Sequence, residues 1–183
     1  MRGPALVHIA VLPRSNLFAV GRSLLAAWLL ARLMGASSAA PMENSETADK
    51  AAGGHLARLH QDAEQGSPLA QYLLGAFYQL GEAIPQDYAE AANWYGRAAD
   101  QGLAVAQFAL GAMYARGEGV PEDVVRAHIW LSLSATHAAQ IPGARKLTRE
   151  AQELRDEIAQ KMAPEQILEA EQLAREWKPK RER

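Results

Sequence analysis

The 183-residue chain contains no cysteine. Disulfides, cysteine-ligated zinc, iron–sulfur clusters and cysteine nucleophiles are therefore excluded together. The absence does not set the compartment, because a cysteine-free chain survives in either redox state. Aromatic residues are few, at 7%. Neither sign of charge dominates: 19 basic residues stand against 21 acidic ones, a formal net charge of −2. Nucleic-acid binding needs a concentrated positive field, and this balance argues against it. Long apolar runs are also missing. Arg22 and Arg32 bracket only nine residues, Ser23 to Ala31, where a membrane span needs about 20.

What is present divides into two parts. Residues 1–42 hold four arginines (Arg2, Arg14, Arg22, Arg32) and no acid, which leaves residues 43–183 at −6. A basic start, the apolar stretch behind Arg22 and the small residues Ala36 to Ala40 are the three parts of a secretory signal. Residues 1–40 are read as this targeting segment. Cleavage after Ala39 places Ser37 and Ala39 at the small-residue positions. The product is expected to be periplasmic or secreted, with no stable membrane insertion once the signal is removed. An organellar transit peptide and an uncleaved anchor are the alternatives. Residues 41–54 read as a polar, disordered linker.

Sliding residues 65–100 by 36 onto 101–136 leaves fifteen positions identical. They include Gln71/Gln107, Leu74/Leu110, Gly75/Gly111, Tyr78/Tyr114, Gly81/Gly117, Pro85/Pro121, Asp87/Asp123 and Trp94/Trp130. Each unit reads as two helices. Helix A runs from about Pro68 to Leu80 and again from Ala104 to Arg116, with Ala70, Leu74 and Tyr78 recurring at a helical period. Gly81 and Gly117 sit where a helix end favours a left-handed residue. Asp87 and Asp123 are N-caps, and Glu90 is expected to complete a capping box in the first unit. Helix B runs from Asp87 to about Asp100, and from Asp123 to about Ala138. Trp94 and Trp130 are assigned to the core between helix pairs. A single hairpin cannot bury its own apolar face, so stability is expected to come from stacking.

The units read Ala70…Leu74-Gly75…Tyr78, Gly81-Glu82-Ala83-Ile84, Asp87…Ala91…Trp94 and Ala98-Ala99…Gly102, with a second copy 36 residues on. This pattern resembles the Sel1-like repeat family, a relative of the tetratricopeptide repeat. The resemblance covers about residues 55–177 and implies an all-α, right-handed solenoid of stacked antiparallel helix pairs. Full repeats fall at about 66–101 and 102–137, with degenerate end units at 55–65 and 138–177 and a basic tail at 178–183. The terminal helices, with stripes Leu147/Ala151/Leu154/Ile158 and Ile167/Ala170/Leu173/Ala174/Trp177, are expected to close the last hydrophobic face. One departure stands out. Ala83 occupies a family glycine position, which strains the loop if the backbone there has positive φ.

No catalytic constellation is visible, and no cofactor or metal site is expected. His55 and His60 are five apart, off the i, i+4 spacing of a metal pair. His128 is expected on the polar side of helix B, and all four histidines after the targeting segment are read as solvated. By analogy with tetratricopeptide geometry, the concave face of the array is lined by Leu69, Tyr72 and Gln79, continued by Val105, Phe108 and Arg116. An apolar, aromatic-bearing face of this kind suits an extended peptide or a helix. The alternative is that the short array buries these residues under its caps. The resemblance implies a non-enzymatic adaptor with a protein or peptide partner, in the bacterial envelope. Two other readings are a structural subunit of an envelope assembly and a β-lactamase-like enzyme. The resemblance offers that activity only through a cysteine-rich branch of the family, whose disulfides are missing here, as is a Ser-x-x-Lys nucleophile after the targeting segment.

Overall fold

The computed structural model describes residues 45–180, with side-chain surroundings from residue 54 onward. Residues 1–40, read above as a targeting segment, lie outside this range, as do residues 41–44 and the last three residues. Seven helices and no strands occur among the described residues: α1 (Ser45–Glu64), α2 (Pro68–Leu80), α3 (Tyr88–Asp100), α4 (Ala104–Arg116), α5 (Val124–Ala139), α6 (Arg145–Ala159) and α7 (Pro164–Glu176). Consecutive helices pack on one another from α1 through α6, and α7 packs on α5. The architecture is an all-α stack of helix pairs. Helix α1 begins ten residues ahead of residue 55, so it takes in residues 45–54 of the segment read as linker. The alanines at 48, 51 and 52 are strong helix formers, which offsets the paired glycines after them.

The turn chemistry follows the sequence closely, with one correction. Gly81 (φ 71°) and Gly117 (φ 66°) adopt the left-handed conformation, and their N–H groups return to Phe77 and Met113 carbonyls. Asp87 Oδ1 accepts from the Ala89 and Glu90 N–H groups, at 2.9 and 3.0 Å. Asp123 Oδ1 accepts from Arg126 N–H at 2.9 Å. The reciprocal half of the expected capping box is not made. Asp87 N–H instead donates to Tyr78 O at 2.9 Å, and Asp123 N–H to Tyr114 O at 3.0 Å. Each A–B loop is thus latched to its own helix A, and the cap no longer needs a Glu. That is why Arg126 is tolerated where Glu90 stood.

The core consists of three connected clusters built largely from alanine. Ala63, Ala70, Leu74 and Trp94 join α1, α2 and α3. Ala91, Tyr95, Ala98, Ala106, Leu110 and Met113 join α3 to α4. Ala127, Leu131, Ile158, Met162 and Ala170 close the C-terminal end. Small residues here permit close helix approach. A Cβ on Gly75 would come within 2.8 Å of the Tyr95 ring, and one on Gly111 within 2.9 Å of Leu131 Cγ. Trp94 is buried as expected, whereas Trp130 is only half-buried. The terminal helices cover α5, but Leu173 of the expected stripe stays 44% exposed. Helix α7 lies along α5 rather than completing a hairpin with α6. A cleft is left between them.

Candidate protein-docking face

The six residues assigned to the inner face lie on two repeat-related helices. Leu69, Tyr72 and Gln79 belong to α2; Val105, Phe108 and Arg116 belong to α4. Leu69 is 48% exposed. Tyr72 is half-buried, with its ring centroid 5.5 Å from that of Tyr95. Burial pushes the Tyr72 hydroxyl above its ordinary pKa. Tyr95 is raised as well, by burial first and by Tyr72 second. Tyr95 O–H donates to Gln79 Oε1 at 2.8 Å, so Gln79 is held by its own repeat. Val105 is half-buried. Phe108 is half-buried too, and packs against the C-terminal cluster. Arg116 is exposed and pairs with Glu118 at 2.9 Å. The two aromatics therefore share a register but not an environment. Tyr72 leans on α3, and Phe108 leans on the cap.

Sequence reasoning missed two glutamines. Gln71 and Gln107 are fully buried. Gln71 Nε2 donates to Ala63 O at 3.0 Å, and Gln107 Nε2 donates to Ala99 O at 3.1 Å. Each clasps the end of the preceding helix to the next repeat. Their remaining oxygens accept from the following turn: Gln101 Nε2 donates to Gln71 Oε1, and His137 Nδ1 meets Gln107 Oε1, both at 2.8 Å. Because Gln107 Nε2 is the donor to Ala99, its oxygen is the acceptor and His137 Nδ1 carries the proton. The signal available in the sequence was the identity of these residues across the 36-residue offset, directly after Ala70 and Ala106 at core positions.

Three histidines also depart from the solvated reading; the first, His60, is half-buried, with its ring centroid 6.3 Å from that of Tyr78 and 6.4 Å from that of Trp94. His128 is buried, with 3% of its surface exposed, because α6 and α7 cover that side of α5. Its Nδ1 has no partner in the structure. Burial, and after it the Arg155 charge, lowers its pKa. His137 is half-buried and lowered by burial. Both line the cleft between α5, α6 and α7, a volume of ≈ 550 Å³ shared with Arg155, Glu171, Arg175 and Trp177. Among the described residues, no group of three or more His, Asp or Glu side chains is placed to hold a metal ion. No described helix is long and apolar enough to cross a membrane.

Comparison with known proteins bears on the repeats. The Sel1 repeat model matches residues 68–103 and 104–138. A search of curated proteins gave no match. Among solved structures, the chain is similar to a protective antigen present in uropathogenic Escherichia coli strains displaying an SLR fold. The TM-score is 0.61 at 26% identity, over 85% of this chain and 29% of that one. It is also similar to a Sel1 repeat protein from Oxalobacter formigenes, with 46% identity and a TM-score of 0.44, over 50% of this chain and 26% of the other. The chain thus spans less than a third of the length of either structure. The 36-residue register, the glycine-ended A helices, the aspartate-capped B helices and the family match agree: residues 68–138 of this chain form two Sel1 repeats.

Proposed function

We propose that this chain is a non-enzymatic adaptor that docks a peptide or helix of a partner protein on the face formed by α2 and α4. Sel1 repeat proteins generally mediate protein–protein interaction. The observation that carries the finer reading is the partial exposure of repeat-related apolar positions. Leu69 and Val105, and Tyr72 and Phe108, sit 36 residues apart and none is fully buried. Side chains that keep apolar surface in water at a repeated register suit an amphipathic or extended ligand with matching spacing. Tyr72 and Phe108 act as anchors, while Gln79 and Arg116 give polar direction. The targeting segment supports a place in the bacterial envelope.

The test is affinity capture with the full chain as bait beside the variant Leu69→Asp/Arg116→Glu. Both positions are exposed, so the variant keeps its helicity. A captured protein that is depleted about tenfold by the variant supports the reading, a change of about 1.4 kcal/mol. An unchanged catch with a folded variant removes the partner from this face. Fractionation of the same cells, with N-terminal sequencing of the recovered protein, tests export and cleavage after Ala39.

A further inference from the structure

Residues 177–180, which follow α7, fold back onto the array. Trp177 leaves the helix in an extended conformation (φ −62°, ψ 140°). Its ring meets His137 at 5.3 Å and Trp130 at 6.4 Å between centroids. The strap then crosses the turn between the repeats, where a Cβ on Gly102 would touch both Trp177 and Pro179. It finishes on the last residue of α3. Lys180 N–H donates to Asp100 O at 2.8 Å, and Lys180 Nζ pairs with Asp100 Oδ2 at 3.0 Å. Residues 178–180 of the basic tail are held by one main-chain bond and one charge pair.

Internal repetition shows what this strap replaces. Thirty-six residues earlier, Asp100, Gly102 and Trp130 correspond to Glu64, Gly66 and Trp94. In that first notch the array supplies its own cation. The Arg97 guanidinium lies 4.5 Å from the Trp94 ring centroid, and Nη1 pairs with Glu64 at 3.3 Å. The residue equivalent to Arg97 in the second repeat is Leu133, which is buried and uncharged. The second notch therefore has an acid and a tryptophan but no cation from its own helix. The strap brings in Lys180 for the acid and a second aromatic ring for the tryptophan. The same chemistry is met once from within the repeat and once by a segment from outside it.

We propose that the second notch is a docking site for an extended segment of a partner protein, carrying an aromatic side chain and a lysine or arginine three residues after it. The chain's own residues 177–180 occupy the site until such a segment displaces them. The site is a different surface from the α2–α4 face and does not rest on it. Three observations favour this occupant. The cis segment displays the required aromatic and basic spacing. Past the half-buried Trp177 ring, the strap is held by one main-chain hydrogen bond and one exposed ion pair, with Lys180 73% exposed, so it is exchangeable. The residues after 42 carry a net charge of −6, which attracts a basic segment.

The experiment uses the full chain and a synthetic peptide of residues 175–180, acetylated and amidated. Binding is followed by NMR on the wild type and on Trp177→Ala/Lys180→Ala. In the wild type the tethered strap competes at an effective concentration on the order of millimolar. The peptide is therefore expected to bind the double variant at least about tenfold more tightly. Shifts should centre on Asp100, Gly102, Trp130 and His137. A peptide with alanine in place of Lys180 should bind about twofold to fivefold more weakly, the range of an exposed ion pair. No binding to a folded double variant overturns the proposal. Equal binding to both proteins overturns it too, since that marks attraction to net charge alone. Should the double variant unfold, the wild type decides. Excess peptide then moves the Trp177 indole resonance toward its free position if the proposal holds, and leaves it in place if not.

Discussion

The two A–B loops offer a matched pair of substitutions. Ala83 and Gly119 are equivalent by the 36-residue offset, and both have positive φ, 64° and 71°. For an L-residue with a Cβ this conformation costs about 1–2 kcal/mol. Ala83→Gly removes that strain. It also adds freedom to the unfolded chain, at about 0.4–1 kcal/mol. The net expectation is a gain of about 0.5–1 kcal/mol, because Ala83 is exposed and its methyl contributes little packing. For a chain of this size that is a rise in Tm of roughly 1–4 °C. Gly119→Ala is the opposite case. A Cβ there would overlap the Tyr88 carbonyl group and sit 2.7 Å from Ala89 N. These are backbone atoms at the start of α3, which cannot swing aside. The strain and the clash together should cost more than about 3 kcal/mol. Thermal and urea unfolding followed by far-UV circular dichroism measure both variants. A neutral or destabilising Ala83→Gly would refute the left-handed loop at 83. A Gly119→Ala loss under about 1 kcal/mol would refute the contact between the second loop and α3.

Two further expectations concern buried polar groups. Gln107→Leu keeps the volume but leaves Ala99 O and His137 Nδ1–H without their partner, so urea unfolding should show a loss of about 2–3 kcal/mol. Stability should also fall on acidification. His128 and His137 both have folded pKa values below the ordinary 6.5, so the unfolded chain takes up protons first. Their contribution is complete above about pH 6.5 and is lost as pH drops from there toward the folded values, at no more than about 1.4 kcal/mol per pH unit per histidine. The charged groups bearing on His128 are Arg155, Glu171 and Asp156, and Arg155 reinforces the direction set by burial. Urea midpoints at a series of pH values, repeated on His128→Gln, should show a flatter acid limb in the variant.

The sequence by itself determined the unit. The offset of 36, the helix-ending glycines and the capping aspartates are local requirements of turn geometry, so they could be read without knowing what packs on what. Ala83 was legible for the same reason: positive φ is a property of one residue's backbone, and Ala83 adopts it. The glutamine clasps were visible as identities but not as contacts, because an amide is informative only once its buried partners are known. The capping box failed in the same way, since the N–H it would have satisfied was taken by a carbonyl nine residues earlier.

Only the tertiary structure decided the ends and the faces. Helix α7 chooses α5 over α6, a choice between two apolar stripes that hydrophobic periodicity cannot rank. That choice buries His128, opens the cleft and carries Trp177 to Trp130. It also brings Lys180 to Asp100, eighty residues away along the chain. Side chains of one repeat register, Tyr72 and Phe108, end in different surroundings because one neighbours another repeat and the other neighbours the cap. Periodicity specifies what each unit needs to bury; long-range packing settles which neighbour covers it.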